Sequence, residues 1–225
     1  NHHVEGSFCD HLASMTLLLA DGSVVKCSPT ENTKLFHATC GGMGLTGIIL
    51  DATLQLNKVA SVSISNRSYS ANNLNHCLEL LDEHNDARYV VAWLDCLKQG
   101  NELGRGIVYA GDHGDDENLQ LARRRGPTVP FHTPAFFLNR FTMSQFNNLY
   151  ASWNRGKGES TLQSYEQFFF PLDSIGHWNR LYGRKGFLQY QFVIPADAKK
   201  TLAEIIERVA DSGQGSFLSV LKKFG

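Results

Sequence analysis

The stretch LFHATCGGMGLTGII, residues 35–49, decides the fold: a short amphipathic segment runs into four glycines within seven residues, then into an apolar β-branched run. Glycine lacks a Cβ atom and tolerates positive φ, so this backbone can turn sharply and lie against a flat or anionic ligand. A strand is predicted directly afterwards, over residues 48–56. A backbone cradle between a helix end and a strand is typical of cofactor sites, although a plain helix cap and turn is the alternative.

The segment upstream of the glycine bend predicts a β-hairpin. Two apolar runs, residues 14–20 and 23–28, flank Asp21-Gly22, and this dipeptide is a strong hairpin signal. Pro29 and Thr30 then lead into a short helix, for which Thr30 is the predicted N-cap. The predicted order is therefore loop, hairpin, helix, glycine bend and strand.

Several motifs resemble a known family. GSF at residues 6–8, SMTLLLADG at 14–22 and the glycine bend resemble the flavin-binding domain of the FAD-linked sugar oxidases in the vanillyl-alcohol-oxidase superfamily. The likeness is closest to the oxidase subunits of decaprenylphosphoryl-β-D-ribose 2-epimerases. It continues through more specific motifs and covers nearly the whole chain: FPLD at 170–173, WNRLYG at 178–183, GFLQYQFVIP at 186–195 and SFLSV at 216–220.

The resemblance implies an α+β fold of two parts. Residues 1–58 would form the second half of a PCMH-type FAD-binding domain. Residues 59–225 would form a substrate-binding domain, incomplete at its C-terminus, with an antiparallel sheet and helices on one face. We therefore expect the chain to be a piece of a longer protein, with no activity of its own.

The periodicity of residues 59–225 is that of an α+β domain. Strands are predicted over residues 59–70, 88–96, 104–110, 187–194 and 216–223, and helices over 71–85 and 196–212.

The resemblance also implies the cofactor FAD and a set of residues close to it. Neither a catalytic residue nor the choice between covalent and non-covalent flavin is decided by the sequence. The implied cofactor-binding residues are Asn1, His2, Ser7, Gly41, Gly42, Gly44, Thr46, Gly47 and Ile49.

Alternating residues of the predicted strand 187–194 suggest a sugar-binding face. Successive side chains of a strand point to opposite sides, so Leu188, Tyr190, Phe192 and Ile194 would form a core face. The opposite side carries Phe187, Gln189 and Gln191. An amide both donates and accepts hydrogen bonds, and an aromatic ring can cover the apolar face of a sugar. An ordinary solvent-facing side is the alternative, but the resemblance places these three residues in the substrate pocket.

Two cationic side chains are candidates for a substrate phosphate. Lys222 shares a predicted strand face with Leu218 and Val220, and these three are the predicted substrate-binding residues of that strand. A lysine there could bind a phosphodiester or simply extend into solvent. The resemblance favours Lys222 over Lys223. Arg180 could bind a phosphate bidentately or be a surface arginine. The family has asparagine where this chain has Ser219, which puts a hydrogen bond of its relatives in doubt.

By resemblance, the reaction is the oxidation of a sugar hydroxyl, at C2 of a polyprenyl-phosphoryl ribose, to the keto form, in the synthesis of an arabinose donor for the cell wall. A short-chain reductase would be the partner that completes the epimerisation. Two alternatives remain open. One is a soluble sugar-alcohol or aldonolactone oxidase, which shares the glycine bend, and the other is an inactive binding fragment.

Composition excludes several other classes. A net charge of −1 gives no reason to expect nucleic acid, and no apolar run approaches the roughly 18 residues of a membrane span. We expect a cytoplasmic protein or one peripheral to the inner membrane. Five dispersed cysteines indicate free thiols, and nine histidines lack metal-site spacing. The proline- and phenylalanine-rich segment 126–140 is either a core plug or a lid or lipid-facing patch.

Overall fold

The computed structural model describes residues 2–121, 126–216 and 218–224. Two compact units are present. The first comprises the residues up to Lys58 together with Phe224, and the second comprises Val59–Lys223.

The first unit is a three-stranded antiparallel sheet with one helix. Its elements are β1 (Leu12–Leu18), β2 (Val24–Cys27), α1 (Thr33–Thr39) and β3 (Ile48–Leu54), preceded by a 3-10 helix at Phe8–His11. The strand order is β2-β1-β3. The hairpin predicted around Asp21-Gly22 is confirmed, with Gly22 at φ +84° in the turn.

The helix α1 packs on the sheet through Phe36, which is buried with Met15, Leu17 and Cys27. Thr30 is not its N-cap, so that prediction is wrong. The Ser28 hydroxyl accepts hydrogen bonds from the backbone N–H groups of residues 30 and 31 and holds a separate turn. The helix therefore starts only at Thr33.

The second unit is built on a five-stranded sheet in which every pairing is antiparallel. Its strand order is β7-β4-β6-β5-β8. Three 3-10 helices lie at Gly100–Glu102, Ala135–Phe137 and Trp178–Tyr182. The strands and α-helices in chain order are β4 (Ser63–Ala71), α2 (Leu74–Glu83), β5 (Tyr89–Leu94), β6 (Gly106–His113), α3 (Arg140–Trp153), β7 (Lys157–Ser164), α4 (Tyr165–Phe169), α5 (Lys199–Ser212) and β8 (Val220–Leu221). The predicted α+β class is confirmed.

Helices contact both faces of this sheet. Apolar residues of α2 and α5 form the main core with one face of β5 and β6, as predicted. On the other face, Trp93 of β5 contacts Tyr150 of α3 at 4.7 Å between ring centroids, and Tyr89 contacts Phe169 of α4 at 4.7 Å. The prediction of helices on one face is therefore incomplete, because it lacks α3 and α4.

The strand predicted over residues 187–194 is not formed. Leu188 is fully exposed and Tyr190 nearly so, so the predicted core face is wrong, apart from Ile194, which packs on the core of the second unit. An alternating pattern yields a strand only where another strand supplies hydrogen bonds, and within the described sheet β5 pairs with β8 and β4 with β7. The last predicted strand is also shorter than expected, at Val220–Leu221.

A buried polar cluster attaches the unpredicted helix α3 to the second unit. The Asp95 carboxylate, 1% exposed, accepts hydrogen bonds from Asn147 Nδ2 at 2.9 Å and from Arg105 Nη2 at 3.0 Å. Asn139 caps the start of α3 by accepting from the backbone N–H groups of residues 141 and 142. This asparagine cap is the sequence signal that would have located the helix.

Candidate functional site

The glycine bend has backbone positions that exclude side chains. A Cβ atom on Gly42 would lie 2.2 Å from the Ala38 carbonyl oxygen, and one on Gly47 would lie 2.7 Å from that of Leu18. Gly41 and Gly44 have φ of +75° and +77°, which favours glycine. The bare backbone is thus required by the fold at residues 42 and 47, and is open to solvent at residues 41 and 44.

Hydroxyl groups hold the two ends of the bend together. The Thr39 Oγ1 donates to the Leu35 carbonyl at 2.7 Å, so the 2.9 Å contact between Thr39 and Thr46 has the Thr46 hydroxyl as its donor. A backbone hydrogen bond from Leu45 N to Gly42 O closes the turn between them. Thr46 is therefore fixed to the end of α1, and its oxygen keeps the capacity to accept.

The surface beside the bend is apolar. Met43 and Leu45 are 91% and 90% exposed, and Ile48 and Ile49 on β3 are also exposed. Bare glycine backbone next to apolar side chains is the kind of surface that a flat, largely apolar ring covers. The residues of the bend therefore fit the isoalloxazine of a flavin.

The loop at residues 2–7 is ordered by its own side chains. His2 Nδ1 accepts hydrogen bonds from the backbone N–H groups of Val4 and Glu5 at 3.2 and 3.1 Å, so a neutral His2 carries its proton on Nε2. Ser7 donates from both its backbone N–H and its hydroxyl to Asp10, which lowers the pKa of that carboxyl. Asn1 lies outside the described residues.

Cys40 lies at the start of the glycine bend. It is the C-cap of α1 and immediately precedes Gly41. Burial, together with Cys9 and Asp10 of the 3-10 helix that follows Ser7, raises the pKa of its thiol to about 11. The residue before Gly41 is therefore a protonated thiol at neutral pH.

In the second unit, Phe187 belongs to an aromatic cluster. Its ring centroid lies 4.3 Å from that of Tyr182 and 5.5 Å from that of Trp178. Burial raises the pKa of the Tyr182 hydroxyl, and the Ser216 side chain opposes this increase. The predicted sugar-covering ring is thus supported by two further rings.

The remaining residues of the predicted amide row, Gln189 and Gln191, are exposed. They lie in the irregular segment that replaces the predicted strand. Their participation in a substrate pocket stays a prediction.

Arg180 has a structural role in this unit. Its Nη1 donates to the carbonyl oxygens of Val129 and Pro130, both at 2.9 Å, and its own carbonyl accepts from Thr133 N. The guanidinium thereby ties the proline-rich segment to the 3-10 helix at Trp178–Tyr182. Phosphate binding by its remaining N–H groups stays a prediction.

Side chains around β8 alternate in the predicted sense. Leu218, Val220 and Lys222 are exposed, whereas Leu221 packs on the core. Lys223 forms an ion pair with Asp82 of α2. Burial raises the pKa of the Cys96 thiol, and the Ser219 side chain opposes this increase. Phe217 lies outside the described residues.

The described residues show neither a metal-binding cluster nor a membrane-spanning helix. Residues 2–121, 126–216 and 218–224 contain no group of three or more His, Cys, Asp or Glu side chains that could hold a metal ion. Within the same ranges, no helix has both the length and the apolar character needed to cross a bilayer. All five cysteines are free thiols, as predicted.

Two curated proteins match the whole chain. Decaprenylphosphoryl-β-D-ribose oxidase of Mycolicibacterium smegmatis is 36% identical over 239 aligned residues, covering 100% of this chain and 51% of that protein. An uncharacterised protein of Streptomyces coelicolor is 33% identical, covering 100% of this chain and 65% of that protein. The chain thus spans between half and two thirds of the length of these relatives.

Other similarities are partial or weak. D-arabinono-1,4-lactone oxidase of Yarrowia lipolytica is 40% identical over 50 residues, 22% of this chain and 10% of that protein. The solved structure of a xylooligosaccharide oxidase from Myceliophthora thermophila aligns with a TM-score of 0.46 and 15% identity, over 93% of this chain and 44% of that one. That structural likeness is too weak to add to the argument. No protein-family model matches the chain.

The two matches along the whole chain agree with the family resemblance drawn from the motifs of the glycine bend and of residues 170–220. FAD is the cofactor of the group that these motifs indicated. Over its whole length the chain is similar to decaprenylphosphoryl-β-D-ribose oxidase, which supports the resemblance to the FAD-linked sugar oxidases.

Proposed function

We propose that this chain forms part of an FAD-dependent oxidoreductase that oxidises C2 of a polyprenyl-phosphoryl ribose to the 2-keto sugar. The observation that carries the proposal is the 36% identity along the entire chain to an oxidase named for a decaprenylphosphoryl ribose. The glycine bend, whose geometry suits a flat ring, supports the cofactor part of the proposal.

The first unit would hold the flavin. Gly41 and Gly44 offer open backbone to the ring, and Met43 and Leu45 offer apolar cover. The Thr46 hydroxyl donates its hydrogen bond to Thr39, so its oxygen would accept one from the cofactor. When bound, FAD supplies the hydride acceptor, and the protein's task is to orient the sugar C2–H bond.

The second unit would hold the substrate. The ring of Phe187, backed by Tyr182 and Trp178, would cover the apolar face of the ribose, with Gln189 and Gln191 hydrogen-bonding its hydroxyl groups. Lys222 would bind the phosphodiester. Its neighbour Lys223 is already paired with Asp82, which supports the choice between the two lysines.

The alternative substrate class, a soluble sugar alcohol or aldonolactone, is favoured by one observation. The chain matches a D-arabinono-1,4-lactone oxidase over 50 residues, and by resemblance such oxidases share the glycine bend with the oxidases of lipid-linked sugars. That match covers under a quarter of the chain, so it supports this substrate class less than the whole-length match supports the lipid-linked sugar.

Anaerobic absorbance spectroscopy separates the two classes. The protein that carries this sequence, purified at its full natural length, is mixed in turn with polyprenyl-phosphoryl ribose, a sugar alcohol and an aldonolactone. We expect the oxidised-flavin band to bleach with the lipid-linked sugar alone. Bleaching by a free sugar alcohol or lactone, with none by the lipid-linked sugar, would contradict the proposed substrate.

A pair of lysine variants tests the phosphate contact. Lys222→Ala should raise KM for the phosphorylated substrate by about tenfold, the effect of losing roughly 1.4 kcal/mol of binding. Lys223→Ala is the matched control. It removes the same charge from the neighbouring lysine, which is already paired with Asp82. Equal effects of both variants would count against Lys222 as the phosphate-binding residue.

A further inference from the structure

Hydrogen bonds attach the proline-rich segment 126–140 to residues 174–183 of the second unit. The guanidinium of Arg180 donates to two carbonyl oxygens of the segment. Other hydrogen bonds, of 2.8 and 2.9 Å, join the two backbones, from Val129 N to Gly176 O, from Gly176 N to Pro127 O and from Thr133 N to Arg180 O. The segment is therefore a fixed part of the second unit.

Three phenylalanine rings of this segment are exposed. Phe131 and Phe136 are 70% and 71% exposed, and Phe137 is 51% exposed. The rings of Phe136 and Phe137 lie 4.4 Å apart between centroids. Their backbone is fixed, because Asn139 Nδ2 donates to the Phe136 carbonyl at 2.7 Å and the Thr142 hydroxyl donates to the Phe137 carbonyl. Exposed apolar side chains close together are typical of binding surfaces, and we call these three the phenylalanine patch.

The segment that carries the patch adjoins the aromatic cluster around Phe187. A Cβ atom on Gly183 would lie 2.7 Å from the Thr133 carbonyl oxygen and 3.5 Å from Leu138 Cδ1. The segment therefore touches Gly183 on both sides of its 3-10 helix. Tyr182, the residue before, has its ring centroid 4.3 Å from that of Phe187. A continuous surface thus leads from Phe187 through Tyr182 to the segment with the patch.

We propose that the phenylalanine patch binds the isoprenoid chain of a polyprenyl-phosphoryl sugar. The inference rests on the proposed function, which places the ribose of this substrate against Phe187. The phosphodiester joins the ribose to the chain, so the chain must leave the sugar along an adjoining surface. That surface carries the patch.

The chemistry of the segment suits such a ligand. An isoprenoid chain is neutral and apolar, and residues 126–139 contain no Lys, Arg, Asp or Glu. The chain can therefore cover these residues without removing a charged side chain from water, which would be costly. Contact between the chain and the exposed phenyl rings removes apolar surface from water on both partners.

Binding of lipids that cannot be oxidised tests the inference separately from the proposed reaction. Decaprenyl phosphate and geranyl phosphate share a head group and lack the ribose. Each is titrated, in the same detergent, into the protein that carries this sequence, purified at its full natural length. Tryptophan fluorescence reports binding, since the ring centroids of Trp178 and Phe187 lie 5.5 Å apart. We expect the dissociation constant to be about tenfold smaller for the longer lipid, and equal constants would overturn the proposal.

Variants of two exposed rings locate the contact. Phe136→Ser/Phe137→Ser should weaken binding of decaprenyl phosphate by about tenfold and change that of geranyl phosphate by less than about twofold. Phe136→Leu/Phe137→Leu keeps apolar side chains and should retain the preference for the longer lipid. The matched control is Trp153→Ser, which removes a 77% exposed ring at the far end of α3 and should not alter the preference. Equal weakening of both lipids by the serine variant, or the same loss in Trp153→Ser, would contradict the proposal.

A second arm separates the isoprenoid chain from a bilayer as the partner of the patch. Sedimentation with phosphatidylglycerol vesicles is measured for the wild type and for Phe136→Ser/Phe137→Ser. If the serine variant loses vesicle binding but keeps the wild-type preference for decaprenyl phosphate, the patch binds the bilayer and the inference is wrong. If the preference depends on the patch but polyprenyl-phosphoryl ribose does not bleach the flavin, the inference is supported and the proposed reaction alone fails.

Discussion

At the scale of single residues, Gly44 and Gly22 offer a controlled test of the flavin surface. Both have positive φ, +77° and +84°, and a Cβ added to either meets nothing within 4 Å. Alanine at each should therefore cost a similar amount of folding free energy, about 1 kcal/mol. Only Gly44 lies in the glycine bend, so only Gly44→Ala should also weaken FAD binding.

The measurement is the FAD dissociation constant of each variant at its full natural length, with urea unfolding run in parallel. We expect Gly44→Ala to bind FAD at least tenfold more weakly than Gly22→Ala at equal stability. If the two variants bind FAD equally well, the bend does not face the cofactor.

The sequence could predict the role of a single residue only where that role depends on its neighbours in the chain. Positive φ at three of the four glycines of the bend, and the Asp21-Gly22 turn, follow from neighbouring residues, and both features are present in the structure. The hydrogen bonds of Arg180 to the carbonyl oxygens of Val129 and Pro130 join distant segments. No local pattern carries such contacts, so they required coordinates.

At the scale of elements, the attachment of α3 depends on Asp95. This carboxylate is buried and accepts from Arg105 and Asn147, and Arg105 is itself largely covered. Asp95→Asn should lower the free energy of unfolding by about 3 kcal/mol, because the largely covered Arg105 guanidinium loses its nearer carboxylate and keeps only the 3.6 Å pair with Glu102. Urea denaturation measures the loss.

The matched control is the exposed pair between Lys98 and Glu102. Lys98→Ala should cost less than about 1 kcal/mol, since exposed ion pairs contribute little. If Lys98→Ala and Asp95→Asn lower the free energy of unfolding by similar amounts, the buried cluster around Asp95 does not anchor α3.

The start of β4 carries a pH-dependent contact. Hydroxyl groups of Ser61 and Ser63 donate to Asp116 at 2.5 and 2.8 Å, and they lower the pKa of this carboxyl from its ordinary 3.8. A carboxyl with a lowered pKa in the folded state stabilises the protein above its unfolded pKa, and that contribution disappears as the pH falls through the folded pKa.

The stability difference between wild type and Asp116→Asn should therefore be constant near neutral pH and shrink below about pH 4. Thermal unfolding across this pH range measures it. A difference that grows towards acid pH would contradict the assigned hydrogen bonds.

Elements were predictable where a strong hydrophobic periodicity coincided with a partner to pair with or pack against. The other elements were not. The hairpin β1–β2 and the helices α2 and α5 have both periodicity and packing partners. Residues 187–194 have the alternating pattern but no hydrogen-bonded neighbour strand. For α3, the Asn139 cap was present in the sequence, but the surrounding prolines and phenylalanines obscured it.

At the scale of the whole molecule, the chain spans 51% of one whole-length relative and 65% of another. In the first unit, β3 is exposed along its entire length, and its apolar residues Ile48, Ile49 and Leu50 are not covered. The division at residue 58 into a flavin-binding part and a substrate-binding part stays a prediction, as does the meeting of the bend and the amide row at one site.

The central claim is that the glycine bend belongs to an FAD site. The most direct measurement is the amount of FAD released per polypeptide from the protein that carries this sequence, purified at its full natural length. We predict one FAD per chain. A correctly folded protein that contains no flavin, and does not take it up from an excess of FAD, would contradict the account.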